Sequence, residues 1–261
     1  MNTKCDYHVH IGQWGETYHE AETVFSELKA RGTDEAWFSS TTSCRYCKES
    51  IAVRDNESLQ NELPTARELY ELIRYEVQEA FESARKVGIK AHALYWVVPE
   101  IHFSASVSIE QAMSELHYEG FKIHPRGNVW NLDDERTAFL AEELFSYADA
   151  HGHLVLIHCD EDYPPTLFEP LIASHPHAIV QLAHCRPLGD TLALLRKYPN
   201  TVCDTAFVSD ETRQKIENAG FADRIRYGTD FPITHYFSEK PERTPTEAEL
   251  TTFLRTKNPV A

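Results

Sequence analysis

Short apolar runs alternate with amphipathic helical patterns along most of the chain, and glycines mark many of the junctions. Five glycines follow a helical pattern and precede an apolar run, where a left-handed residue commonly ends a helix: Gly32, Gly88, Gly120, Gly152 and Gly220. Two further runs follow helix-like stretches that end at prolines. Together with the N-terminal run, these predict eight strands, at residues 5–10, 35–39, 90–98, 121–124, 153–158, 178–184, 201–205 and 225–227.

Helix starts are marked independently of glycine. Thr65 with Glu68, and Ser108 with Gln111, have the spacing of a capping box. Because a helix between two strands returns the chain to the same edge of a sheet, the eight strands are expected to run parallel. Eight strands in about 230 residues match the size of a (β/α)8 TIM barrel, regular or distorted. A doubly wound open sheet is the alternative, but no glycine-rich phosphate-binding turn follows a strand.

The polar, irregular segment 41–64 predicts an insertion after the second strand that could cover the mouth of the barrel. No linker divides the sequence, so residues 1–261 are predicted to form a single TIM-barrel domain. Near the C-terminus, Thr244 and the proline that follows it predict a helix within residues 244–261.

The polar residues that end the predicted strands point to a metal site. Active sites of TIM barrels lie at the carboxyl ends of the strands. His8 and His10 are two residues apart, so both are expected to face the lumen. Two more strands stop at His158 and His184, and Asp230 follows the last strand. Neutral imidazoles with a carboxylate bind borderline dications, so Zn²⁺ is expected, with Mn²⁺, Fe²⁺ or Ni²⁺ as alternatives.

Basic side chains near the same strand ends are candidates for binding substrate. Lys122, His124 and Arg126 share one face of the fourth predicted strand, and Arg186 shares a face with His184. A lysine inside the barrel mouth needs a carboxylate, a bound anion or a covalent modification to compensate its charge. The loops predict an aromatic-lined pocket, with candidates Trp14, Trp130, Tyr163 and Tyr236.

The six cysteines are predicted to be reduced thiols, because the sequence shows no secretion signal. Cys159, Cys185 and Cys203 each adjoin a residue expected to face the lumen, so their side chains are expected to pack against the helices. Cys44 and Cys47 have CxxC spacing but lack a second ligand pair, which disfavours a structural zinc site.

The charge balance limits the classes of partner. With 25 Lys and Arg against 41 Asp and Glu, the net charge of −16 disfavours nucleic acid and anionic membrane surfaces. No apolar run is long enough to span a bilayer and no signal peptide is evident, which favours a cytoplasmic protein. A small-molecule substrate is expected, anionic if the dication and Lys122 make a positive pocket, and a homodimer is among the expected assemblies.

Five short motifs run in order across nearly the whole chain: Asp6-Tyr-His-Val-His10, Gly120-Phe-Lys-Ile-His-Pro125, Ile157-His158, Leu182-Ala-His184 and Tyr227-Gly-Thr-Asp-Phe-Pro232. In these motifs the sequence resembles the amidohydrolase superfamily, in the amidohydrolase-2 branch of metal-dependent TIM-barrel hydrolases and decarboxylases. The resemblance implies that one metal ion is held by His8, His10, His158 and Asp230. It implies that His184 is the acid/base or orienting histidine near the reacting group, and that two ions are bound if Lys122 is carboxylated.

Three functions are compatible with these residues. The first is hydrolysis of a small-molecule ester, lactone or amide by a metal-activated water, with His184 and Asp230 moving protons. The second is non-oxidative decarboxylation of a small aromatic or enol acid, which needs the same polarised oxygen. The third is a non-catalytic barrel that binds a metal or ligand. An open ligand set beside a further histidine is typical of catalytic zinc and favours an enzyme.

Overall fold

The computed structural model describes residues 4–15 and 17–236, apart from the side chains of residues 58, 59, 235 and 236. Its strands are β1 Cys5–Trp14, β2 Thr17–His19, β3 Glu35–Ser40, β4 Lys90–Trp96, β5 Tyr118–Ile123, β6 Leu154–Ile157, β7 Ile179–Leu182, β8 Thr201–Asp204 and β9 Ile225–Arg226. Its helices are α1 Ala21–Ala30, α2 Glu57–Gln60, α3 Ala66–Val87, α4 Pro99–Ser104, α5 Ile109–Glu115, α6 Glu135–His151, α7 Glu169–Ser174, α8 Leu188–Lys197, α9 Asp210–Asn218 and α10 Ile233–Tyr236.

The strands form one sheet in the order β2-β1-β3-β4-β5-β6-β7-β8-β9. Every neighbouring pair is parallel except β1 and β2, which form an antiparallel hairpin at the end of β1. The segment after β9 returns to β1, where the backbone N–H of Asp230 donates to the carbonyl of His8 at 2.7 Å. The N–H of His10 donates to the carbonyl of Phe231 at 2.8 Å. These bonds close the sheet, and the predicted (β/α)8 barrel is confirmed.

The caps of the longer helices follow the sequence signals. Thr65 and Glu68 form the complete capping box at the start of α3, and Gly88 ends that helix with a φ of 79°. At α5, the hydroxyl of Ser108 accepts from the N–H of Gln111, but the Gln111 side chain donates to Glu115 instead of returning to the cap. Half of the second predicted capping box is therefore formed.

Gly120 does not end a helix, so that prediction was wrong. Helix α5 ends at Glu115, and Gly120 lies inside β5, beside Leu94 of β4 and Leu154 of β6. A Cβ added to Gly120 would lie 2.3 Å from the carbonyl oxygen of Leu154. The glycine is required here because the two strand backbones approach too closely for any side chain.

Replacing Gly120 by alanine is expected to destabilise the protein by about 1–3 kcal/mol, since the methyl group would displace backbone and not a flexible side chain. The free energy of unfolding, measured by urea titration, tests this. Gly189→Ala in α8 is the matched control, because nothing lies within 4 Å of the added Cβ. It should be neutral or stabilising by up to about 1 kcal/mol. Equal unfolding midpoints for the two variants would contradict the packing argument.

The insertion after β3 packs over the carboxyl ends of the strands. It begins with a buried 3-10 turn, Thr41–Cys44, and includes the short helix α2. Cys44 joins a small apolar cluster with Trp14, Trp96 and Ile233. The predicted C-terminal helix at 244–261 lies outside the described residues. Within the described ranges, no helix combines the length and apolarity that crossing a membrane requires.

The main hydrophobic core lies between the sheet and its helices, and a smaller apolar cluster of Leu94, Leu154, Leu156 and Ala183 is separate from it. Cys159, Cys185 and Cys203 all belong to the main core, as predicted, although Cys185 lies beyond the extended backbone of β7. Burial raises the pKa of Cys159 far above its usual range. Polar side chains from the strand ends line the barrel lumen above the smaller cluster.

Candidate metal centre

His8 and His10 lie side by side at the carboxyl end of β1. The two side chains are buried, with ring centroids 5.0 Å apart. The pairing of β1 with β3 contains a bulge between Asp6 and Val9. Val9 packs in the core on the helix side, as the alternation predicted, while His10 reaches Ser39 of β3.

Asp230 completes a three-residue cluster with these histidines. It follows β9 in a left-handed conformation, with a φ of 55°. Its Oδ1 lies 2.9 Å from Nε2 of His10 and 3.5 Å from Nε2 of His8. Ligand atoms of a tetrahedral zinc ion lie about 3.3 Å apart, because Zn–N and Zn–O bonds are about 2.0–2.2 Å long. The donor atoms and their spacing therefore fit one dication.

The electrostatics of the cluster keep His10 and Asp230 in their metal-binding protonation states. Burial lowers the pKa of His10 to about 4, although Asp230 opposes the shift. Burial alone would raise the pKa of Asp230, but the nearby imidazoles of His8 and His10 reverse this and bring it below its usual range. At neutral pH His10 is neutral and Asp230 is ionised, as metal ligands must be.

His158 and His184 form a hydrogen-bonded pair next to the cluster. Nδ1 of His184 lies 3.0 Å from the carbonyl oxygen of Ala206, and its Nε2 lies 3.0 Å from Nδ1 of His158. Burial lowers the pKa of His184 to about 3 and that of His158 well below its usual range, so both rings are neutral. Because a carbonyl only accepts, Nδ1 of His184 donates to it, and Nδ1 of His158 donates to His184. Nε2 of His158 then carries a lone pair.

Lys122 and His124 line the same cavity from β5 and the loop that follows it. Nζ of Lys122 lies 3.3 Å from Nε2 of His8, and the residue is only 1% exposed. Burial lowers the pKa of Lys122, while the charges of Asp230 and Asp204 oppose the shift. The ring of His124 stacks on that of His158 with a centroid separation of 3.8 Å.

The two candidate arginines differ in their surroundings. Arg126 makes two hydrogen bonds to Asp160, at 2.8 and 3.2 Å, and a third to Asp162, so its charge is already compensated. Arg186 has a buried Nε with no hydrogen-bond partner among the described residues. His184 and Cys185 both have positive φ, so the backbone is no longer extended there. The strand alternation that placed Arg186 on the same face as His184 therefore does not apply.

Three residues of the site were not predicted from the sequence. Asp204 ends β8 and accepts from Nδ1 of His8 at 2.9 Å. It carries the same signal as Asp230, an acid where an apolar strand stops. Asp6 accepts from the N–H groups of His8 and Thr229 and so ties β1 to the residue before Asp230. The third is Trp96, which packs against the ring of His10 with centroids 5.5 Å apart.

Of the four predicted pocket aromatics, Trp14 and Trp130 are buried, and Tyr163 is partly exposed. Trp14 packs with Trp96 and Cys44 beneath the insertion, whereas Trp130 belongs to the main core. The side chain of Tyr236 lies outside the described residues. The structure instead places Trp96 against His10 and His124, and Phe207 against His184.

A closed (β/α)8 barrel with imidazoles and a carboxylate at its strand ends has the architecture of the metal-dependent TIM-barrel enzymes. The model of the amidohydrolase family Amidohydro_2 matches residues 5–255. The chain therefore belongs to the amidohydrolase family, which confirms the resemblance in its sequence motifs.

Solved structures share this fold at low sequence identity. A 2,6-dihydroxybenzoate decarboxylase from Rhizobium is 14% identical, with 98% of this chain and 97% of that chain covered and a TM-score of 0.51. The phosphotriesterase homology protein from Escherichia coli, with phosphate in its active site, is 9% identical, with 98% and 99% covered and a TM-score of 0.54. A 5-carboxyvanillate decarboxylase from Novosphingobium aromaticivorans, complexed with manganese, is 12% identical, with 98% and 92% covered and a TM-score of 0.51. No curated protein matches.

Proposed function

We propose that this protein is a metal-dependent hydrolase of a small-molecule ester, lactone or amide. The observation that carries the proposal is the cluster of His8, His10 and Asp230, whose ligand atoms all lie within 4.8 Å of one another. His158 would be the fourth ligand, supported by the lone pair on its Nε2. When bound, a dication lowers the pKa of a water molecule and polarises a substrate oxygen.

His184 is proposed to move the proton. Its Nδ1 donates to the carbonyl of Ala206, so its Nε2, which accepts a hydrogen bond from His158, carries the lone pair that can take up a proton. Neutral at pH 7, the ring can take a proton from the attacking water and deliver one to the leaving group. Asp230, which the histidines keep ionised, would assist as a base from within the ligand cluster.

An anionic substrate is proposed, held by Arg186. Among the four predicted substrate-binding side chains, Arg126 is already paired with two carboxylates and His124 is stacked on His158. Lys122 lies against His8 and faces the ligand cluster more than the loops. Within the described part of the chain, the buried Nε of Arg186 has no hydrogen-bond partner, so its guanidinium suits bidentate binding of a carboxylate or phosphate.

Zn²⁺ is the proposed metal, since two or three imidazoles with one carboxylate suit a borderline dication. Mn²⁺ is the alternative, supported by the manganese in the 5-carboxyvanillate decarboxylase. One ion is proposed, or two if Lys122 is carboxylated. The homodimer and the cytoplasmic location stay predictions.

Decarboxylation of a small aromatic acid is the second candidate function. It is favoured by one specific observation, that solved structures with this fold include several decarboxylases of hydroxylated or methoxylated benzoates. Trp96, beside His10, would suit a flat aromatic substrate. The ligand cluster serves either reaction, so the products must decide between them.

The deciding experiment is metal analysis followed by a substrate panel. Protein purified without chelator is expected to contain about one Zn²⁺ per chain and to release acid from carboxylate-bearing lactones, esters or amides. Carbon dioxide release from hydroxybenzoates, without acid release from the first panel, would establish the second function instead. Bound metal without turnover on either panel would support a binding protein, and protein that takes up no dication would contradict the metal site.

A further inference from the structure

Asp204, the last residue of β8, lies fully buried behind the ligand cluster, with both carboxylate oxygens bonded to donors. Oδ1 accepts from the backbone N–H groups of His184 and Ala206, each at 3.1 Å. Oδ2 accepts from Nδ1 of His8 at 2.9 Å and from Nε2 of Gln181 at 3.0 Å. A carboxylate has about four lone-pair positions, so these four donors saturate it.

Because the oxygens of Asp204 are saturated, a second group of possible metal ligands is disfavoured. His8, His184 and Asp204 also have donor atoms within 4.8 Å of one another. A cation bound at Oδ1 would have to displace the two backbone N–H groups, and one bound at Oδ2 the amide of Gln181, leaving those donors buried without partners. Asp204 therefore acts on the metal cluster through His8 and not as a ligand of its own.

We propose that Asp204 is a positioning residue that fixes the tautomer of His8 and thereby sets the affinity of the cluster for its dication. The inference rests on the proposed function. An ionised carboxylate only accepts, so Nδ1 of His8 carries the ring proton and Nε2 carries the lone pair. Nε2 is the atom that faces Asp230, at 3.5 Å, and Lys122 Nζ, a donor, lies 3.3 Å from it.

The same carboxylate also holds the backbone of His184. His184 has a φ of 67°, in the left-handed region that residues with a side chain seldom adopt. The hydrogen bond from its N–H to Asp204, together with that from Ala206, stabilises this turn at the end of β7. One buried acid thus orients both the first histidine of the metal cluster and the histidine proposed to move protons.

The test is the isosteric variant Asp204→Asn. Its carbonyl oxygen can still accept from His184 and Ala206, but its amide nitrogen would face Nδ1 of His8 as a donor. The ring proton would then move to Nε2 and block the metal-binding lone pair. Zinc affinity, measured by competition with a chromophoric chelator, is expected to fall by roughly 10–100-fold, the usual effect of losing such a partner. The far-UV circular dichroism should be unchanged.

A matched control separates this effect from the loss of any buried acid. Glu76 is also a buried carboxylate, but its oxygens accept from the hydroxyls of Ser40, Thr42 and Tyr18, which can rotate to suit an amide. Glu76→Gln should bind zinc as the wild type does. If Asp204→Asn binds zinc within twofold of the wild type, the positioning role is overturned while the proposed function stands.

A second measurement needs neither metal nor a substitution of Asp204. In metal-free wild-type protein, long-range ¹H–¹⁵N spectra should show His8 protonated at Nδ1 and bare at Nε2, with the signals assigned from a His8→Gln sample. The opposite tautomer would overturn the inference directly. A wild-type protein that takes up no zinc at all would overturn the proposed function and this inference with it.

Discussion

His10→Ala is expected to strip the metal ion from the protein and to abolish turnover. His10 is a proposed ligand: its Nδ1 contacts Ser39, its ring packs against Trp96, and its Nε2 faces Asp230 at 2.9 Å. Losing a direct ligand should lower affinity by more than the roughly 100-fold that loss of a supporting partner costs. Elemental analysis after dialysis should fall from about one zinc per chain to a small fraction of that.

His175→Ala is the matched control for this variant. His175 is a buried histidine that bonds to Ser146 and Leu171 and touches none of the site residues. The control should retain its zinc even if it is somewhat less stable. Full metal occupancy in His10→Ala would refute the assignment of the cluster.

The same assay extends to the remaining proposed ligands. His8→Ala and His158→Ala should lose the ion as well. His158 is the informative case, because in the structure it pairs with His184 and stands outside the three-residue cluster. If His158→Ala keeps its zinc while His8→Ala loses it, the site has three protein ligands and His158 belongs to the proton pathway.

His184→Gln is expected to lower kcat by about 10²–10⁴-fold while leaving the metal content unchanged. A glutamine side chain can still hydrogen-bond to His158, but it cannot take up or release a proton near neutral pH. Because His184 lies outside the cluster formed with Asp230, binding of the ion should survive. KM should change little, since the proposed anion contact belongs to Arg186.

The measurement pairs steady-state kinetics with elemental analysis on the same protein sample. Loss of zinc together with loss of activity would show that His184 is a ligand and not the group that moves protons. An unchanged kcat would exclude it from both roles. Both outcomes differ from the expected one, in which a fully loaded protein turns over slowly.

The strand-end histidines were predictable because strand alternation and the position of TIM-barrel sites are both local rules. His8, His10, His158 and His184 all stand where an apolar run stops, and the structure gathers them at one end of the barrel. The role of Asp204 was not predictable in the same way. Its strand also stops at an acid, but nothing in the sequence indicates that its oxygens meet His8, which lies 196 residues earlier.

The basic residues show where strand alternation no longer predicts the contacts of a side chain. It grouped Lys122, His124 and Arg126 on one face, yet Arg126 pairs with Asp160 and Asp162 from the loop after β6. Alternation also assumes extended backbone, whereas His184 and Cys185 turn into the left-handed region. Pairings between loops depend on distances that no single-strand pattern contains.

The sequence by itself determined the alternation of strands and helices, the barrel and the family, because these depend on hydrophobic periodicity, helix caps and short motifs. The sequence pattern wrongly predicted that Gly120 ends a helix, because glycine is favoured both at helix ends and where two strand backbones approach closely. Only the tertiary structure decided which side chains meet: Asp230 with His8 and His10, Asp204 with His8, and Arg126 with its carboxylates. Those contacts join residues far apart in the chain, and they form only when the barrel closes and burial removes water from between them.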